Sequence, residues 1–532
     1  MTDGDLRELF NQTEHCVRSL WASSELLKER FTLRQMAGLC KKREEWLEAA
    51  RLRRKDVPEK TPLSEPQRSW LEKLQRCDNL QSCLHLQANA SVNASARVKR
   101  SSSGLPNRAL RKEYRRLTED ERSRFHSALE YFKRDMLDGR SKMDLLVWYH
   151  QPSLAPGAHW GPAFLPWHRE FLRQLEVALR AYDPSVALPY WDSSLEEGLP
   201  QPAHSLLWSH TFIGAAAPYL IDGPFRDWVT LNRVLEAPRI VRSLGASRFG
   251  SLYRPQDFNI LLQKHKYEEL TSCVDPYFEL VHGAVHLWVG GHMADIPISP
   301  NDPLFFLHHA FVDYLWERFR QLRQTPEHRE RDYPPSQLSC NPAHSANAPM
   351  TPFPKSNLDG LSTLYTDVFY HYEMQPTCGP QNRFHCASPY LFCHSKESRC
   401  LAKIRVGGTC AGLQPSDEPC WQSYCLNGLC SPLQGFVSRS HQYPMYSGAA
   451  YASLLRPGEN GGRSEARISV TLEDGRPCTA YCRALDRYVR CSGEVVLDLD
   501  PAASDPIPYT PYPAQALFTH LLSNFVYLPP II

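Results

Sequence analysis

Three histidines fall on helix faces that are otherwise apolar, and this narrows what the chain can become. The first run, DPYFELVHGAVHLWVGGHM, begins at Asp275. Asp275 is positioned to cap a helix and Pro276 to occupy its first turn. His282 and His286 then lie one turn apart on one face. The second run, DPLFFLHHAFVDYLWERFRQLR, repeats the start signal with Asp302 and Pro303. Phe305, His309, Val312, Trp316 and Phe319 follow at steps of 4, 3, 4 and 3, the core face of a helix. His309 therefore points inward, with Asp313 one turn beyond it. A buried imidazole must satisfy both ring nitrogens. Either each histidine is hydrogen-bonded separately in the core, or a metal takes one nitrogen of each. Imidazole suits copper, zinc and iron.

A second trio lies upstream, in MDLLVWYHQPSLAPGAHWGPAFLPWHREFLRQLEVALRAYDPS. His150, His159 and His168 are each nine residues apart. His159 sits among Pro156, Gly157, Gly161 and Pro162, so it belongs to a loop. Pro166 can open a helix whose inner face carries His168, Phe171, Leu172, Leu175 and Leu179, and Asp183-Pro184 ends it. His126 is also upstream and helical, but the nine-residue step and the Trp148-Tyr149 context favour His150.

With 532 residues the chain is long enough for about three or four domains at roughly 100–200 residues each. A net charge of +2 argues against nucleic-acid binding. No run of about 18 apolar residues exists, so no transmembrane helix is expected. The 17 cysteines are too many for a typical cytosolic protein, and the group between Cys378 and Cys430 reads as a disulfide framework. Asn11-Gln-Thr, Asn89-Ala-Ser and Asn93-Ala-Ser are glycosylation patterns. Together these favour a secreted protein, although MTDGDLRELF has no apolar signal core.

In order, residues 1–108 read as a charged helical segment and linker, where Cys16, Cys40, Cys77 and Cys83 can form two bridges. The linker carries Arg97-Val98-Lys99-Arg100, which resembles a proprotein-convertase site, in a stretch of small polar residues. Release of a propeptide after Arg100 is expected. Residues 109–375 form the main domain, entered through a helix with Thr118 and Glu121 spaced as a capping box. Residues 376–432 are a cysteine-dense module stapled for want of a core. Residues 433–532 alternate apolar and polar and read as a β-rich domain. The odd cysteine total leaves one thiol over, for which Cys273 is the candidate.

Residues from about 120 to 372 resemble the tyrosinase domain of the type-3 copper proteins. His159-x4-Phe164-Leu-Pro-Trp167-His168-Arg169-x2-Leu172-x3-Glu176 is similar to the family's first copper motif. Asp302-Pro303-x-Phe305-Phe-x-x-His309-x3-Asp313 is similar to the second. Pro189-Tyr190-Trp191-Asp192 and Tyr370-His371-Tyr372 also resemble family features. The resemblance implies a mainly α fold: a four-helix-bundle dicopper core, then the disulfide-rich module and the small β-rich C-terminal domain. It implies two copper ions, CuA on His150, His159 and His168, and CuB on His282, His286 and His309. Outer roles are implied for His292 and His308. Asp313 is placed to hold a CuB ligand or to pair with Arg169.

Several positions depart from the family. Gly157 stands where many relatives have a cysteine that forms a thioether with a CuA-site histidine. Gly283 stands where relatives that hydroxylate monophenols well often have Asn, and Leu287 where a polar residue or Arg can sit. Glu279, three residues before His282, is the best match to a glutamate that partners a phenol-activating water, with Glu269 a weaker one. Ile296 falls where the family has a residue overhanging CuA. The resemblance implies oxidation of phenols and o-diphenols to o-quinones by O2, with catechol oxidation expected over strong monophenol hydroxylation. Expected partners are phenolic small molecules or protein tyrosine and DOPA, and O2. Residues 433–532 are expected to cover the active site. The alternatives are a reversible O2-binding protein and a non-catalytic matrix or interaction protein on the same fold. A zinc hydrolase fits poorly, since no His-Glu-x-x-His occurs and six ligands exceed one tetrahedral site.

Overall fold

A computed structural model describes residues 13–432 except 23, 52–62, 77–107, 216–218, 221, 231–238, 273–274, 337–340 and 381–384, and beyond them only strand segments between 450 and 526. Asn11, Asn89, Asn93, Cys77, Cys83, Cys273, the basic motif ending at Arg100 and the side chains expected to cover the site from residues 433–532 all lie outside the described residues.

The chain divides into two compact units, residues 1–430 and 431–532. The N-terminal segment, the histidine-bearing domain and the cysteine module thus share one unit. In the N-terminal segment, α1 (Leu33–Arg51) buries Met36, Leu39, Cys40 and Trp46. Helix α2 (Glu65–Gln75) opens on a capping box made by Ser64 and Gln67. Cys16 and Cys40 are bridged, one of the two bonds expected in this segment. All these apolar side chains belong to the same core cluster as those of the main domain.

Four longer helices frame the main domain: α3 (Glu119–Arg134), α4 (Phe164–Tyr182), α5 (Tyr277–Val289) and α6 (Leu304–Arg323). The predicted Thr118–Glu121 capping box starts α3. Starts of α5 and α6 differ slightly from expectation. Asp275 Oδ1 accepts from the Tyr277 amide at 3.2 Å and Asp302 Oδ1 from the Leu304 amide at 3.0 Å, so each aspartate acts one residue outside the proline. Asp302 is also clasped by the buried Arg242 at 2.6 and 2.8 Å. Helix α4 is buried on every side from Phe164 to Ala181. A helix apolar all round is expected to be buried, but α4 carries Arg169, Glu170, Arg173 and Glu176 inside. Each finds an opposite charge within 3.0 Å: Asp313 and Glu317 on α6 for Arg169, Arg173 for Glu170, and Arg111 for Glu176. The predicted inner face of α6 is buried, and so is most of its outer face, because Tyr253 and Phe258 pack edge-on against Phe311.

Strand β1 (Ala109–Arg111) pairs in parallel with β2 (Tyr370–Tyr372), joining the two ends of the main domain. In the cysteine module, β3 (Leu391–His394) pairs with β4 (Arg399–Ala402), and β5 (Ser423–Leu426) with β6 (Leu429–Pro432). Its disulfides cross in two successive pairs: Cys378–Cys393 with Cys386–Cys400, then Cys410–Cys425 with Cys420–Cys430. The module rests on the main domain through Leu195 and Leu199, which join its small core. The second unit is β-rich: β7 (Ala450–Leu454), β8 (Ser464–Val470), β9 (Thr479–Ala484), β10 (Arg487–Ser492), β11 (Glu494–Leu499) and β12 (Phe525–Val526) form two three-stranded antiparallel sheets, ordered β11–β8–β7 and β10–β9–β12.

Candidate metal centre

All six predicted histidines meet inside the main domain, each less than a tenth exposed. His282 and His286 come from α5, His309 from α6 and His168 from α4. His159 lies on the predicted loop, and His150 ends a short 3-10 turn, Trp148–His150, rather than one of the long helices. The first trio is thus carried by one helix, one turn and one loop. The reason is length: only nine residues separate successive histidines, too few for two helices and a connection.

Backbone carbonyls fix most of the rings. Nδ1 of His150 faces the Ile296 carbonyl at 2.9 Å, His168 that of Phe164 at 2.9 Å, His282 that of Glu279 at 3.1 Å and His286 that of Met293 at 2.8 Å. A carbonyl only accepts, so each of these Nδ1 atoms must carry the proton. Their Nε2 atoms then hold bare lone pairs, and these point at one another. His150 Nε2 is 3.3 Å from His168 Nε2 and 3.0 Å from His159 Nε2. His309 Nε2 is 3.1 Å from His282 Nε2 and 3.2 Å from His286 Nε2. Between two rings tied in this way, His150 and His168, the facing lone pairs have no proton to share and repel, and a cation between them removes the repulsion.

Protonation is not the remedy. Burial pushes the His150 imidazole down to about 3 and that of His286 down to about 4. Burial, then mutual repulsion, holds His159, His282 and His309 well below the ordinary range. Neutral imidazoles are what a metal needs. The donor set, all nitrogen with no thiolate or carboxylate, suits copper, zinc or iron, and two such trios suit two ions.

Glu279 lines the cleft beside His282, but its carboxylate faces His159 Nδ1 at 3.1 Å and accepts the Trp160 amide at 2.7 and 2.9 Å. Burial pushes it up to about 8, with the Trp160 and Gly161 amides pulling it back. It therefore orients a candidate CuA ligand, a role the sequence did not assign it. Glu279→Ala should weaken metal binding at the His150–His159–His168 trio by about 10- to 100-fold, as loss of an outer partner does. Competition with a chelator of known affinity measures this. Glu269 lies apart from the site, binding the His265 and Lys266 amides instead.

Asp313 takes the second of its two expected roles. It pairs with Arg169 at 2.6 Å and accepts the Tyr370 and Tyr372 hydroxyls at 2.7 Å each. No site histidine is among its partners, and His309 Nδ1 has no hydrogen-bond partner among the described residues. Ile296 lines the cleft as expected, and its carbonyl also holds His150. His308 is an outer residue: it stacks on His282 at 5.2 Å and its Nε2 faces the His282 carbonyl at 3.2 Å. His292 accepts the Val241 amide and takes no part. His126 faces the Tyr114 hydroxyl, away from the trio. Gly157 is closed to a cysteine, since a Cβ there would lie 2.8 Å from the Ala343 carbonyl oxygen.

The cleft over these histidines is lined by His159, Trp160, Glu279, Gly283, Leu287 and Ile296, and by Leu39 and Lys42 of α1. The two α1 residues were absent from the sequence reading. Their only signal was a modestly amphipathic helix, which says nothing of where it docks.

Comparison with known proteins follows the same lines. The common central domain of tyrosinase matches residues 140–322. The putative tyrosinase-like protein tyr-3 of Caenorhabditis elegans is 40% identical over 341 residues, 61% of this chain and 47% of that protein. The chain thus spans about half the length of this nematode relative. A tyrosinase of Streptomyces lincolnensis is 33% identical over 241 residues, 41% of this chain and 84% of that enzyme. This chain belongs to the tyrosinase family. Among solved structures, a variant polyphenol oxidase of Thermothelomyces thermophila aligns at 20% identity with a TM-score of 0.42, covering 59% of this chain and 99% of that one. The tyrosinase fold implies a dinuclear copper centre, and the two trios described above are the residues that would hold it.

Proposed function

We propose that this tyrosinase-family chain oxidises o-diphenols to o-quinones with O2, at CuA on His150, His159 and His168 and CuB on His282, His286 and His309. The observation that carries this reading is the convergence of six neutral imidazoles with their Nε2 atoms facing, five of them held by a hydrogen bond at Nδ1. Copper bound there would cycle between Cu(I) and Cu(II) and pass the electrons of the diphenol to O2. Neutral ligands tolerate both charges. The chain's own contribution is positional: carbonyls hold the rings, and the cleft opens onto His282 and His286, the side from which a phenol would have to approach.

Catechol oxidation is favoured over monophenol hydroxylation, because Gly283 has no side chain to orient a water and Glu279 is committed to His159. The crossed disulfides and the glycosylation patterns support an oxidising, extracellular setting. No described helix is long and apolar enough to cross a membrane. Reversible O2 binding is the second reading, favoured by one observation: the space over the site is about 30 Å³ as room for water centres, enough for O2 or about two waters but not for a phenol. Oxygen uptake by the copper-loaded chain with catechol decides between them. Continuous uptake supports the oxidase. Binding of O2 that reverses under vacuum, with no catechol consumed, supports the carrier.

A further inference from the structure

The cleft is closed from outside the main domain. Helix α1 lies across α5 and seals the space in front of the candidate CuB histidines. Leu39 and Lys42 line the cleft opposite Gly283, His286 and Ile296. A Cβ built on Gly283 meets a single neighbour within 4 Å, the Leu39 Cδ2 at 3.2 Å. Leu39 thus takes up the room that a side chain at this position would otherwise have. About two turns further on, the Trp46 ring stands edge-on to His159 at 4.6 Å and tilted over His150 at 5.8 Å. Leu39 and Trp46 are both buried, 1% and 2% exposed. Together they cover both trios with apolar surface.

The attachment of this cover is extensive but not covalent among the described disulfides. Cys16–Cys40 closes within the segment itself. Arg30 pairs with Asp257 at 2.7 Å and donates to the Leu252 carbonyl at 2.8 Å. Gln67 donates to the Leu137 and Asp138 carbonyls at 2.8 and 3.1 Å, and Gln75 to the Tyr149 hydroxyl at 2.6 Å. A close approach at Gly38 seats α1: a Cβ there would lie 2.8 Å from the Phe249 ring. Every one of these contacts is reversible.

We propose that the N-terminal helical segment is a lid that shuts phenol-sized molecules out of the dicopper site, with Leu39 and Trp46 as its plug. This rests on the oxidase reading for its consequence, but the lid itself is a matter of access. Displacing α1 opens the cleft from the side of Gly283. The basic run Arg97–Arg100 stands in the sequence between this segment and the main domain.

The test uses the full copper-loaded chain, with Leu39→Ala and Gly38→Ala as variants. Leu39→Ala removes the roof. Gly38→Ala lifts the helix off Phe249 while favouring the helix itself, since alanine is the better helix former. Benzoate, a ring-sized acid that is not oxidised there, reports access by calorimetry, and oxygen uptake with catechol reports turnover. If the wild-type lid is open in about one molecule in ten, both variants bind benzoate about tenfold more tightly. Equal benzoate affinity in wild type and both variants, each folded and carrying its copper, overturns the lid. Should neither variant fold, wild-type chain cut after Arg100 and cleared of the released fragment on a sizing column gives the same comparison, and a fragment that cannot be released without unfolding the rest also overturns it. Tighter benzoate binding without catechol oxidation in any form keeps the lid and removes the oxidase reading. Equal catechol oxidation with equal benzoate affinity does the reverse.

Discussion

His309→Ala is expected to leave the copper-loaded protein with one bound copper in place of two and to bring diphenol oxidation down to background. His309 Nε2 is the atom that both other CuB candidates face, at 3.1 and 3.2 Å. Its ring stacks on Phe305 at 4.0 Å and on His168 at 4.2 Å, so it also bridges the two trios. Removing it leaves two imidazoles, and the loss should exceed the roughly 10- to 100-fold that an outer partner is worth. The neighbouring His308 is the control. A nitrogen of His308 also lies within reach of His282 and His286, so proximity alone nominates it as a ligand. Its Nε2, however, faces the His282 carbonyl. His308→Ala should therefore keep both coppers. Metal analysis of the two variants checks this directly, and one copper in His308→Ala with two in His309→Ala would reverse the assignment.

Asp313→Ala should destabilise the first unit by about 3–5 kcal/mol, the usual cost of removing one partner from a buried ion pair. Its carboxylate sits between Arg169 at 2.6 Å and Arg111 at 3.5 Å and accepts two tyrosine hydroxyls. Without it, Arg169 keeps only Glu317, and Tyr370 and Tyr372 lose their acceptor. Burial works to raise the Asp313 pKa, but the Arg169 and Arg111 guanidiniums with the tyrosine hydroxyls outweigh it and hold the group below the usual carboxylate range. The sign follows from this. A depressed pKa contributes stability above the unfolded value of about 4 and loses it as pH falls through the folded value. The gap between wild type and Asp313→Asn should thus be full at neutral pH and close in acid below about pH 4. Urea midpoints at several pH values measure it. A gap that is flat across this range would show that the aspartate acts by shape alone.

The histidines were legible because their chemistry is written in side chains at fixed spacing. Phe305, His309, Val312, Trp316 and Phe319 declare an inward face before any coordinate is known. The cysteine module was legible for the same reason, as a disulfide framework between Cys378 and Cys430, though its pairing was not. What sequence could not show were partners with no side-chain signature or no local spacing. The Ile296, Phe164, Glu279 and Met293 carbonyls hold four rings, yet any residue offers a carbonyl. Asp313 was correctly placed one turn beyond His309, but the choice between a histidine and Arg169 is made by how α4 packs on α6. Glu279 was correctly put on the site's helix, and only the loop carrying His159 turns its carboxylate away from the cleft. Trp46 lies over a hundred residues from the histidines it covers, so no periodicity connects them.

The parallel pairing of β1 with β2 has a mechanical consequence. The chain enters the main domain at Ala109 and leaves it at Tyr372, and because the two strands run the same way, these points lie at opposite ends of the ladder. Tension applied through the flanking segments therefore loads the ladder in shear, so that its hydrogen bonds must fail together instead of peeling one by one. Arg111, clamped to Glu176 at 2.9 Å and lying 3.4 Å over the Tyr370 ring, acts as a rivet at that seam.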